Sequence, residues 1–454
     1  MRRRRPRADR WNCKMRHVPV IVRETALQAA CLFLLLFFAS CASIPVHISP
    51  EGRRIPDDFA GIVHAGRAGT DTEFPQLKRL GAKWALQTFY WHHIEGVQGE
   101  WDFSFYDTIV NDCVAAGIKI IGVLAYDTPW IHENGRLIKY IPPDRLPDFL
   151  QYIKKTVEHF RGRVDAWSIW NEPNFHFWTG PEDEFIELSC RTADAVREID
   201  KDVILLAGAF NRLLFGLPVK FIRNFFELGA MEKVDYIAFH PYELSVTRAV
   251  RLYEKFRRVV DEYGFGDKIW ITEMGFPTAG WYPNRISLKK FPEAVIKAYA
   301  HLAYSGAMNV LWYQMYDPEI RRRIDSEDHF GLIRSAADPA SKAAEAFRLC
   351  ALYMPNTTCY VLTPEQDGIP RSVQAFWFKR ENRAALVLWK DGGGTSRLNI
   401  RLSGTGHLRH DIVTGNETST SKEIAVRVGR EPIFITWQDN FKHGSVEGRP
   451  IITK

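Results

Sequence analysis

The sequence predicts an α/β protein, a (β/α)8 TIM barrel followed by a small C-terminal β-sandwich, on three observations. Strand-like and helix-like patterns alternate eight times between about residues 59 and 350. Several strand-like runs are almost continuously apolar, as expected of parallel strands that are covered on both faces. After Pro355 the helical pattern gives way to short strands separated by turn signals, which is typical of an antiparallel sandwich.

The barrel is predicted from eight strands, each followed by a helix. The strands are predicted at 59–64, 84–90, 118–125, 165–171, 203–209, 234–240, 268–273 and 308–315. The helices are predicted at 73–80, 104–116, 146–161, 182–199, 218–229, 246–263, 289–305 and 339–352. The active sites of such barrels lie at the C-terminal ends of the strands, so polar residues at those ends are the first candidates.

The change of pattern divides the chain into a barrel at 57–354, a sandwich at 355–440 and a tail at 441–454. The sandwich strands are predicted at 372–378, 384–389, 397–402, 408–413, 423–428 and 432–437. No Gly/Ser-rich linker separates the two domains, so we expect the sandwich to pack on the barrel.

The net charge of +6 comes from the first 40 residues. That segment holds nine basic and two acidic residues, whereas the rest of the chain holds 51 basic and 52 acidic residues. A nearly neutral body gives no electrostatic reason to expect a nucleic-acid partner.

An apolar run from Ala26 to Ser40 follows the basic stretch and is too short to span a bilayer. Residues 1–40 are therefore predicted to be an export signal, with a linker at 41–56. The sequence Phe38-Ala39-Ser40-Cys41 resembles a bacterial lipoprotein box, which predicts lipidation of Cys41 and anchoring to a membrane outside the cytoplasm. An ordinary signal peptide is the alternative, and Met15 is an alternative start.

Cysteine spacing predicts no metal site, because there is no CxxC or His-rich pattern, and no cofactor is expected. Export would permit disulfides. Cys113 and Cys190 lie in helix-like segments and are expected to be buried thiols. Cys350 and Cys359 are close enough in sequence to pair, and the sequence leaves that open.

The segment Trp170-Asn171-Glu172-Pro173-Asn174 closes the fourth predicted strand. Strand alternation places Ser168, Trp170 and Glu172 on one face, so Glu172 is expected at the mouth of the barrel. The amide of Asn171 can bind a sugar hydroxyl. A strand-ending surface Glu is the simpler alternative, but the neighbouring Trp and Asn residues favour a site.

A second carboxylate, Glu273, ends the seventh predicted strand, and Gly275 leaves the space beside it open. His240 and Tyr242 end the sixth strand and are predicted to bind substrate, and the sequence leaves open whether His240 contacts the sugar or a carboxylate. A Tyr242 hydroxyl that donates to Glu273 would keep that carboxylate ionised. Two carboxylates at strand ends are what hydrolysis of a glycosidic bond requires.

Aromatic residues near the strand ends are candidate sugar platforms, since a Trp face packs against the C–H side of a pyranose. Trp312 on the eighth strand, Trp91 after the second, and Tyr126 and Trp130 after the third are predicted to bind substrate. Weaker candidates, for which loop packing is an equal explanation, are His64, Phe175, Trp178, Asn211, Trp281, Tyr282 and Tyr316.

These motifs resemble clan A of the glycoside hydrolases, most nearly the family 39 xylosidases and exopolysaccharide hydrolases. The resemblance rests on Asn171-Glu172-Pro173-Asn174, on Ile271-Thr272-Glu273, on Trp91-His92-His93-Ile94-Glu95 with Trp101-Asp102-Phe103, and on the trailing sandwich, and it covers about residues 57–440. It implies Glu172 as acid/base and Glu273 as nucleophile. Many members carry an Arg on an early strand, where this chain has Gln87 and Thr88, so the contacts to the bound sugar are open.

The implied chemistry is retaining hydrolysis, for which the carboxyl groups should lie about 5–5.5 Å apart. We expect the pKa of Glu172 to be raised by its apolar surroundings and the neighbouring charge, and that of Glu273 to stay low through hydrogen bonds. Two alternatives are a carbohydrate-binding protein without turnover and a structural surface lipoprotein. The sugar, endo or exo cleavage and the oligomeric state are open, although the many rim aromatics favour an oligo- or polysaccharide.

Overall fold

The computed structural model describes residues 52–63, 73–212, 216–283, 285–318, 321–334, 341–410, 417–439 and 448–453. The predicted export signal, Cys41 and His64 lie outside these ranges. Within them, no helix has the length and apolarity needed to cross a membrane.

Eight parallel strands close into a barrel, as the sequence predicts. They are β2 (Ala60–Val63), β3 (Trp84–Tyr90), β4 (Lys119–Ala125), β5 (Ala166–Ile169), β6 (Ile204–Asn211), β7 (Tyr236–His240), β8 (Ile269–Met274) and β9 (Asn309–Trp312). The barrel closes because β2 pairs with both β3 and β9. The strands are buried almost throughout, which explains their continuous apolar sequences.

Helices cover the outside of the barrel. They are α1 (Glu73–Arg79), the short α2 (Trp91–Ile94), α3 (Ser104–Ala116), α4 (Leu146–His159), α5 (Glu182–Ile199), α6 (Val219–Glu227), α7 (Val246–Asp261), α8 (Phe291–Ser305) and α9 (Lys342–Tyr353). The hydroxyl oxygen of Ser245 accepts a hydrogen bond from the Arg248 amide and begins α7. Gly117 and Gly306 end α3 and α8 at φ of 70° and 91°, a left-handed conformation that favours glycine.

The accessory domain consists of two antiparallel sheets, as predicted. Their strands are β1 (Arg53–Arg54), β10 (Thr358–Val361), β11 (Val373–Arg380), β12 (Arg383–Lys390), β13 (Ser396–Arg401), β14 (Thr405–His410), β15 (Glu417–Ser419), β16 (Glu423–Val428), β17 (Ile433–Gln438) and β18 (Ile451–Thr453), with a short helix α10 (Pro364–Asp367) after β10. One sheet has the order β1-β10-β11-β12-β17-β14-β15 and the other the order β16-β13-β18. Trp377, Leu386, Ile400 and Ile435 lie in the core of the sandwich.

Two segments expected to lie outside the domains contribute strands to this sandwich. β1, from the predicted linker, pairs with β10, and β18, from the predicted tail, pairs with β13. The expectation of a simple tail is wrong because Ile452 is buried in the sandwich core. A three-residue strand is too short to be recognised from alternation alone.

The sandwich packs on helix α8 of the barrel. The His301 ring lies 5.0 Å from that of Phe376 and 5.3 Å from that of Trp389, centroid to centroid. Cys113, Cys190, Cys350 and Cys359 are all free thiols, so Cys350 and Cys359 do not pair.

Candidate active site

Glu172 reaches the mouth of the barrel by a route that differs from the predicted one. Strand β5 ends at Ile169, and Trp170 and Glu172 then adopt left-handed backbone, with φ of 62° and 45°. Trp170 is fully buried and donates from its indole to the carbonyl of Phe177 at 2.7 Å, whereas Glu172 lines a cleft. The two side chains therefore do not share a face. Left-handed non-glycine residues cost about 1–3 kcal/mol each and cluster at functional sites.

Glu273 lies where the pairing of β8 with β9 is irregular. The register shifts between Ile271 and Met274. The Oγ1 of Thr272 lies 2.9 Å from Nε2 of His240, and the Oε2 of Glu273 lies 3.8 Å from Nδ1 of the same ring. Two consecutive side chains reach one imidazole, which regular strand alternation would not allow, and such irregularities are common beside active sites.

The carboxylates of Glu172 and Glu273 meet around His240. One oxygen of each carboxylate and one nitrogen of the imidazole all lie within 4.8 Å of one another. His240 is buried on strand β7 and donates from Nδ1 to the Oε1 of Glu172 across 2.7 Å. Of the two contacts predicted for it, His240 therefore makes the one to a carboxylate, and it does not line the cleft. The structure thus brings together the two carboxylates that the sequence predicted, and it joins them through the imidazole.

Asn211, at the end of β6, completes the surroundings of Glu172. Its Nδ2 donates to the same Oε1 at 2.9 Å. Asn174 holds Asn211 in place, because its Oδ1 accepts from the Asn211 amide at 3.0 Å and its Nδ2 donates to the Asn211 carbonyl. Since Oε1 of Glu172 already accepts two hydrogen bonds, Oε2 is the oxygen that can carry a transferable proton.

The electrostatics of this cluster correct one prediction. Burial raises the pKa of Glu273 to about 7, even though the nearby His240 and the 3.1 Å hydrogen bond from the Tyr242 hydroxyl both lower it. The negative charge of Glu172 raises it further. The expectation of a low pKa for Glu273 is wrong, because desolvation of the carboxylate outweighs the hydrogen bond.

His240 carries the complementary charge. Burial alone lowers its pKa, but the negative charges of Glu273 and Glu172, together with the hydrogen bond to Glu172, outweigh burial, so that the pKa of His240 is raised. A protonated imidazole between two buried carboxylates offsets part of the cost of keeping them close.

The carboxylates open into a cleft of about 770 Å³ at the C-terminal end of the barrel. Tyr126, Asn171 and Tyr242 line the cleft as predicted, and the hydroxyl of Tyr126 is hydrogen-bonded to Asn171. Two rim aromatics are exposed, Phe175 at 42% and Trp281 at 70%. Other aromatic residues that line the cleft are Tyr90, Phe105, Phe177, Tyr282, Tyr313 and Phe330.

Trp312 is not a platform, because its side chain is fully buried and packs against Phe276, Phe291 and Tyr299. The next residue, Tyr313, lines the cleft instead. A flat apolar ring at a strand end is favoured equally by the core and by a sugar site, so sequence alone could not separate the two positions.

Trp91 and Trp130 also lie away from the cleft, and both donate hydrogen bonds to Glu95 in the segment that follows α2. The Trp91 indole donates to the Glu95 carboxylate at 2.9 Å, and the Trp130 indole donates to the Glu95 carbonyl at 2.9 Å. Trp91 is fully buried. Within this motif, His93 is the residue that lines the cleft.

Glu327, which the sequence did not indicate, places a third carboxylate on the cleft wall. Its Oε2 accepts from the Tyr313 hydroxyl at 3.2 Å. Burial raises its pKa against the hydrogen bonds from Tyr313 and Tyr282. The only available signal was its place in the loop after the eighth strand, where loops face the active site.

Glu172, His240 and Glu273 also form the one cluster of metal-ligand type within the described ranges. Both ring nitrogens of His240 are engaged in hydrogen bonds, to Glu172 and to Thr272. The cluster is therefore accounted for as a hydrogen-bonded ion pair, and the chemistry it supports is acid–base and nucleophilic chemistry by carboxylates.

No protein-family model and no curated protein matches the sequence. The structure is similar to a family 39 glycoside hydrolase from the gut symbiont Bacteroides cellulosilyticus WH2, with a TM-score of 0.66 and 17% identity over 87% of this chain and 83% of that one. It is also similar to a monomeric β-xylosidase from Caulobacter crescentus CB15 (TM-score 0.62, 13% identity, 86% and 98% covered). A third similar structure is a family 30 endoxylanase from Clostridium papyrosolvens C71 (TM-score 0.58, 13% identity, 86% and 98% covered). The chain therefore shares the two-domain fold of these glycoside hydrolases of families 39 and 30.

Proposed function

We propose that the protein is an exported retaining glycoside hydrolase that cleaves O-glycosidic bonds of an oligo- or polysaccharide. The observation that carries the proposal is that Glu172 and Glu273 share one cleft, where a carboxylate oxygen of one lies within 4.8 Å of a carboxylate oxygen of the other. That proximity supports the narrow spacing of retaining enzymes, because inverting enzymes keep their carboxyl groups about 6.5–9.5 Å apart to admit a water.

In the first step, a carboxylate oxygen of Glu273 attacks the anomeric carbon and forms a glycosyl-enzyme ester. The bond from that carbon to the leaving oxygen breaks, and Oε2 of Glu172 gives its proton to the leaving oxygen. Tyr242 donates to Oε2 of Glu273 at 3.1 Å and so holds the nucleophile in position. The positive charge of His240 stabilises the ionised form of Glu273 that the attack requires.

In the second step, Glu172 acts as base. It takes a proton from a water, the water oxygen attacks the anomeric carbon, and the ester bond to Glu273 breaks. The Nδ1 of His240 and the Nδ2 of Asn211 both donate to Oε1 of Glu172, which leaves Oε2 to face the water. Two inversions at the same carbon give net retention of configuration.

The test is a screen of nitrophenyl glycosides and polysaccharides, beginning with xylosides and glucosides because the similar structures include a β-xylosidase, an endoxylanase and a glucosidase. We expect hydrolysis by the wild type and the first-formed product to have the configuration of the substrate, measured by NMR. Glu172→Gly and Glu273→Gly should be inactive, and azide should restore each with opposite product stereochemistry.

Two outcomes would contradict the proposal. Saccharide binding by the wild type without turnover would favour a carbohydrate-binding protein on the same barrel. An inverted product would rule out the glycosyl-enzyme step. Asn382→Gly, a change in a turn of the accessory domain, serves as a control for the handling of the variants.

We further propose that the chain is anchored to a membrane through a lipid on Cys41. The support is the basic segment, the apolar run 26–40 and the Cys that follows it. Labelled palmitate should be incorporated into the wild type and not into Cys41→Ala. A soluble, unlabelled wild type with its N-terminus elsewhere would indicate an ordinary signal peptide.

A further inference from the structure

A second cavity lies outside the catalytic cleft, between the barrel and the accessory domain. It is a groove of about 490 Å³. From the barrel it is lined by Ser287, Lys289, Lys290 and Glu293, and from the sandwich by Thr395, Arg409, His410, Arg427, Gly429, Arg430, Glu431, Pro432 and Ile433. This set, which we name the basic groove, contains five Lys or Arg residues and two acids.

Both acids of the basic groove are already paired. Glu431 lies 3.5 Å from the Nζ of Lys289, and Glu293 lies 3.3 Å from the Nζ of Lys297. In the described part of the chain no ion pair involves Lys290, Arg409 or Arg427, and all three side chains are exposed. The groove therefore concentrates positive charge on a protein whose body is nearly neutral.

The register of the smaller sheet adds a second, independent observation. Arg427 on β16 stands directly opposite Arg397 on β13, and both are exposed. Like charges directly opposite each other destabilise an antiparallel pair. By contrast, the next exposed cation on β13, Arg401, stands opposite Glu423 and forms an ion pair with it at 2.7 Å. An anion bound between Arg397 and Arg427 would relieve the repulsion at the edge of the groove.

We propose that the basic groove binds a polyanionic glycan, one that carries carboxylate or sulfate groups. This inference goes beyond the proposed hydrolysis, because binding in the groove needs no turnover. The groove offers arginines, whose planar donors match carboxylate and sulfate oxygens. Among the described residues that line it there is no Trp, Tyr or Phe face on which a neutral sugar would stack, so recognition rests on charge.

The same lining argues against other polyanions. Single-stranded nucleic acid is held by stacking of its bases on aromatic side chains, and no Trp, Tyr or Phe is present in the described lining of the groove. A membrane surface is flat and is held by apolar residues that insert beside the cations, whereas these cations line a concave groove. The loop between β8 and α8 connects the two sites, because Trp281 and Tyr282 line the catalytic cleft while Lys289 and Lys290 line the groove. A groove that is joined by one loop to the proposed glycosidase cleft favours a glycan as its ligand.

The experiment is affinity electrophoresis of the folded protein in gels that contain polygalacturonate, with dextran as the neutral comparison. We expect polygalacturonate, and not dextran, to retard the wild type, and high salt to abolish the retardation. The variant Lys290→Gln/Arg409→Gln/Arg427→Gln should bind about tenfold more weakly, which is about 1.4 kcal/mol of binding free energy, because exposed ion pairs are individually weak.

The matched control is Lys255→Gln/Arg161→Gln/Arg371→Gln, which removes the same charge from exposed positions outside the groove. It should retain wild-type affinity. Equal weakening in both triple variants would overturn the proposal, as would equal retardation by dextran. Binding to a single-stranded oligonucleotide or to phosphatidylglycerol vesicles as tight as that to polygalacturonate, and lost in the same groove variant, would overturn the choice of a glycan.

Hydrolysis of a nitrophenyl glycoside keeps the two proposals distinguishable. The groove variant should hydrolyse that small substrate at the wild-type rate, because none of its residues lines the catalytic cleft. An inactive wild type that is still retarded by polygalacturonate would contradict only the proposed hydrolysis. An active wild type that is not retarded would contradict only the groove.

Discussion

The Nδ1 of His240 lies 2.7 Å from the Oε1 of Glu172, and both side chains are buried at the mouth of the barrel. The same nitrogen lies 3.8 Å from the Oε2 of Glu273. One imidazole on β7 therefore links Glu172, which follows β5, and Glu273, which lies near the end of β8. This arrangement explains how two acids can share a buried site, since the raised pKa of His240 favours its positive form.

Replacement of this imidazole should slow hydrolysis. In His240→Gln the positive charge that lowers the pKa of Glu273 is lost, so less of this proposed nucleophile is ionised at neutral pH. We expect kcat/KM for a nitrophenyl glycoside to fall about 100-fold. Thr272→Val, which removes only the contact to Nε2, is the control and should have a smaller effect. An unchanged rate in His240→Gln would refute this role.

The pH dependence should report Glu273. Because its pKa is raised to about 7 and the proposed attack requires the ionised form, kcat/KM should fall as the pH decreases through about 7. The Tyr242 hydroxyl lowers that pKa, so Tyr242→Phe should move the acidic limb to higher pH. Tyr313→Phe is the matched control, because its hydroxyl bonds Glu327 instead. A limb that stays in place in Tyr242→Phe would contradict the assignment.

The same pKa has a consequence for stability. Folding raises the pKa of Glu273 from 4.5 to about 7, so the folded state retains a proton that the unfolded state has released in that interval. Stability is therefore lost as the pH rises from about 4.5 to 7, and the loss is complete above about 7. Glu273→Gln removes the penalty. At pH 8 we expect its free energy of unfolding to exceed that of the wild type by about 1–3 kcal/mol, and its unfolding temperature to be higher. At pH 4 we expect no such gain.

The control for that measurement is Glu381→Gln, at an exposed position in a turn. It should show no pH-dependent gain. A Glu273→Gln protein that is less stable than the wild type at pH 8 would show that the carboxylate is held by its partners more strongly than burial opposes it.

Substitutions of Trp312 and Trp281, both near the mouth of the barrel, should affect different properties: the first the stability of the protein, the second the binding of substrate. Trp312→Ala empties a fully buried position and should cost about 3–5 kcal/mol of unfolding free energy. Trp281→Ala alters a ring that is 70% exposed on the cleft rim, so it should leave stability within about 0.5 kcal/mol of the wild type. We expect Trp281→Ala to raise KM for an oligosaccharide and to leave KM for a nitrophenyl monoglycoside unchanged. Equal effects on both substrates would remove Trp281 from the subsites beyond the first sugar.

The last strand gives a pair of adjacent isoleucines with opposite surroundings. Ile452 is buried in the sandwich core, whereas Ile451 is 57% exposed. Ile452→Ala should destabilise the accessory domain by about 2–5 kcal/mol, and Ile451→Ala should change its stability by less than about 0.5 kcal/mol. Denaturant unfolding followed by tryptophan fluorescence measures both. Similar stabilities of the two variants would mean that β18 does not hold the sheet.

Local patterns in the sequence were sufficient for the barrel and for its two glutamates. Eight apolar runs that alternate with amphipathic segments specify parallel strands under helices, and that topology assembles every strand end at one face. Glu172 and Glu273 were predictable for this reason, because a residue at a strand end needs no further information to be placed at the mouth. Tyr242 was predictable on the same ground, and its hydrogen bond to Glu273 is present.

Tertiary packing decided what periodicity does not encode. Trp312 and Tyr313 are neighbours in sequence, yet one is buried under α8 and the other lines the cleft, because the backbone after the strand end turns each ring to a different neighbour. The pKa of Glu273 depends on desolvation and on charges supplied by β5 and β7, which no local pattern reports. The sequence by itself determined the barrel and which carboxylates meet at its mouth. The tertiary structure decided how they are charged and which aromatic rings face the cleft, since burial and Coulomb energy depend on residues that are distant in the chain.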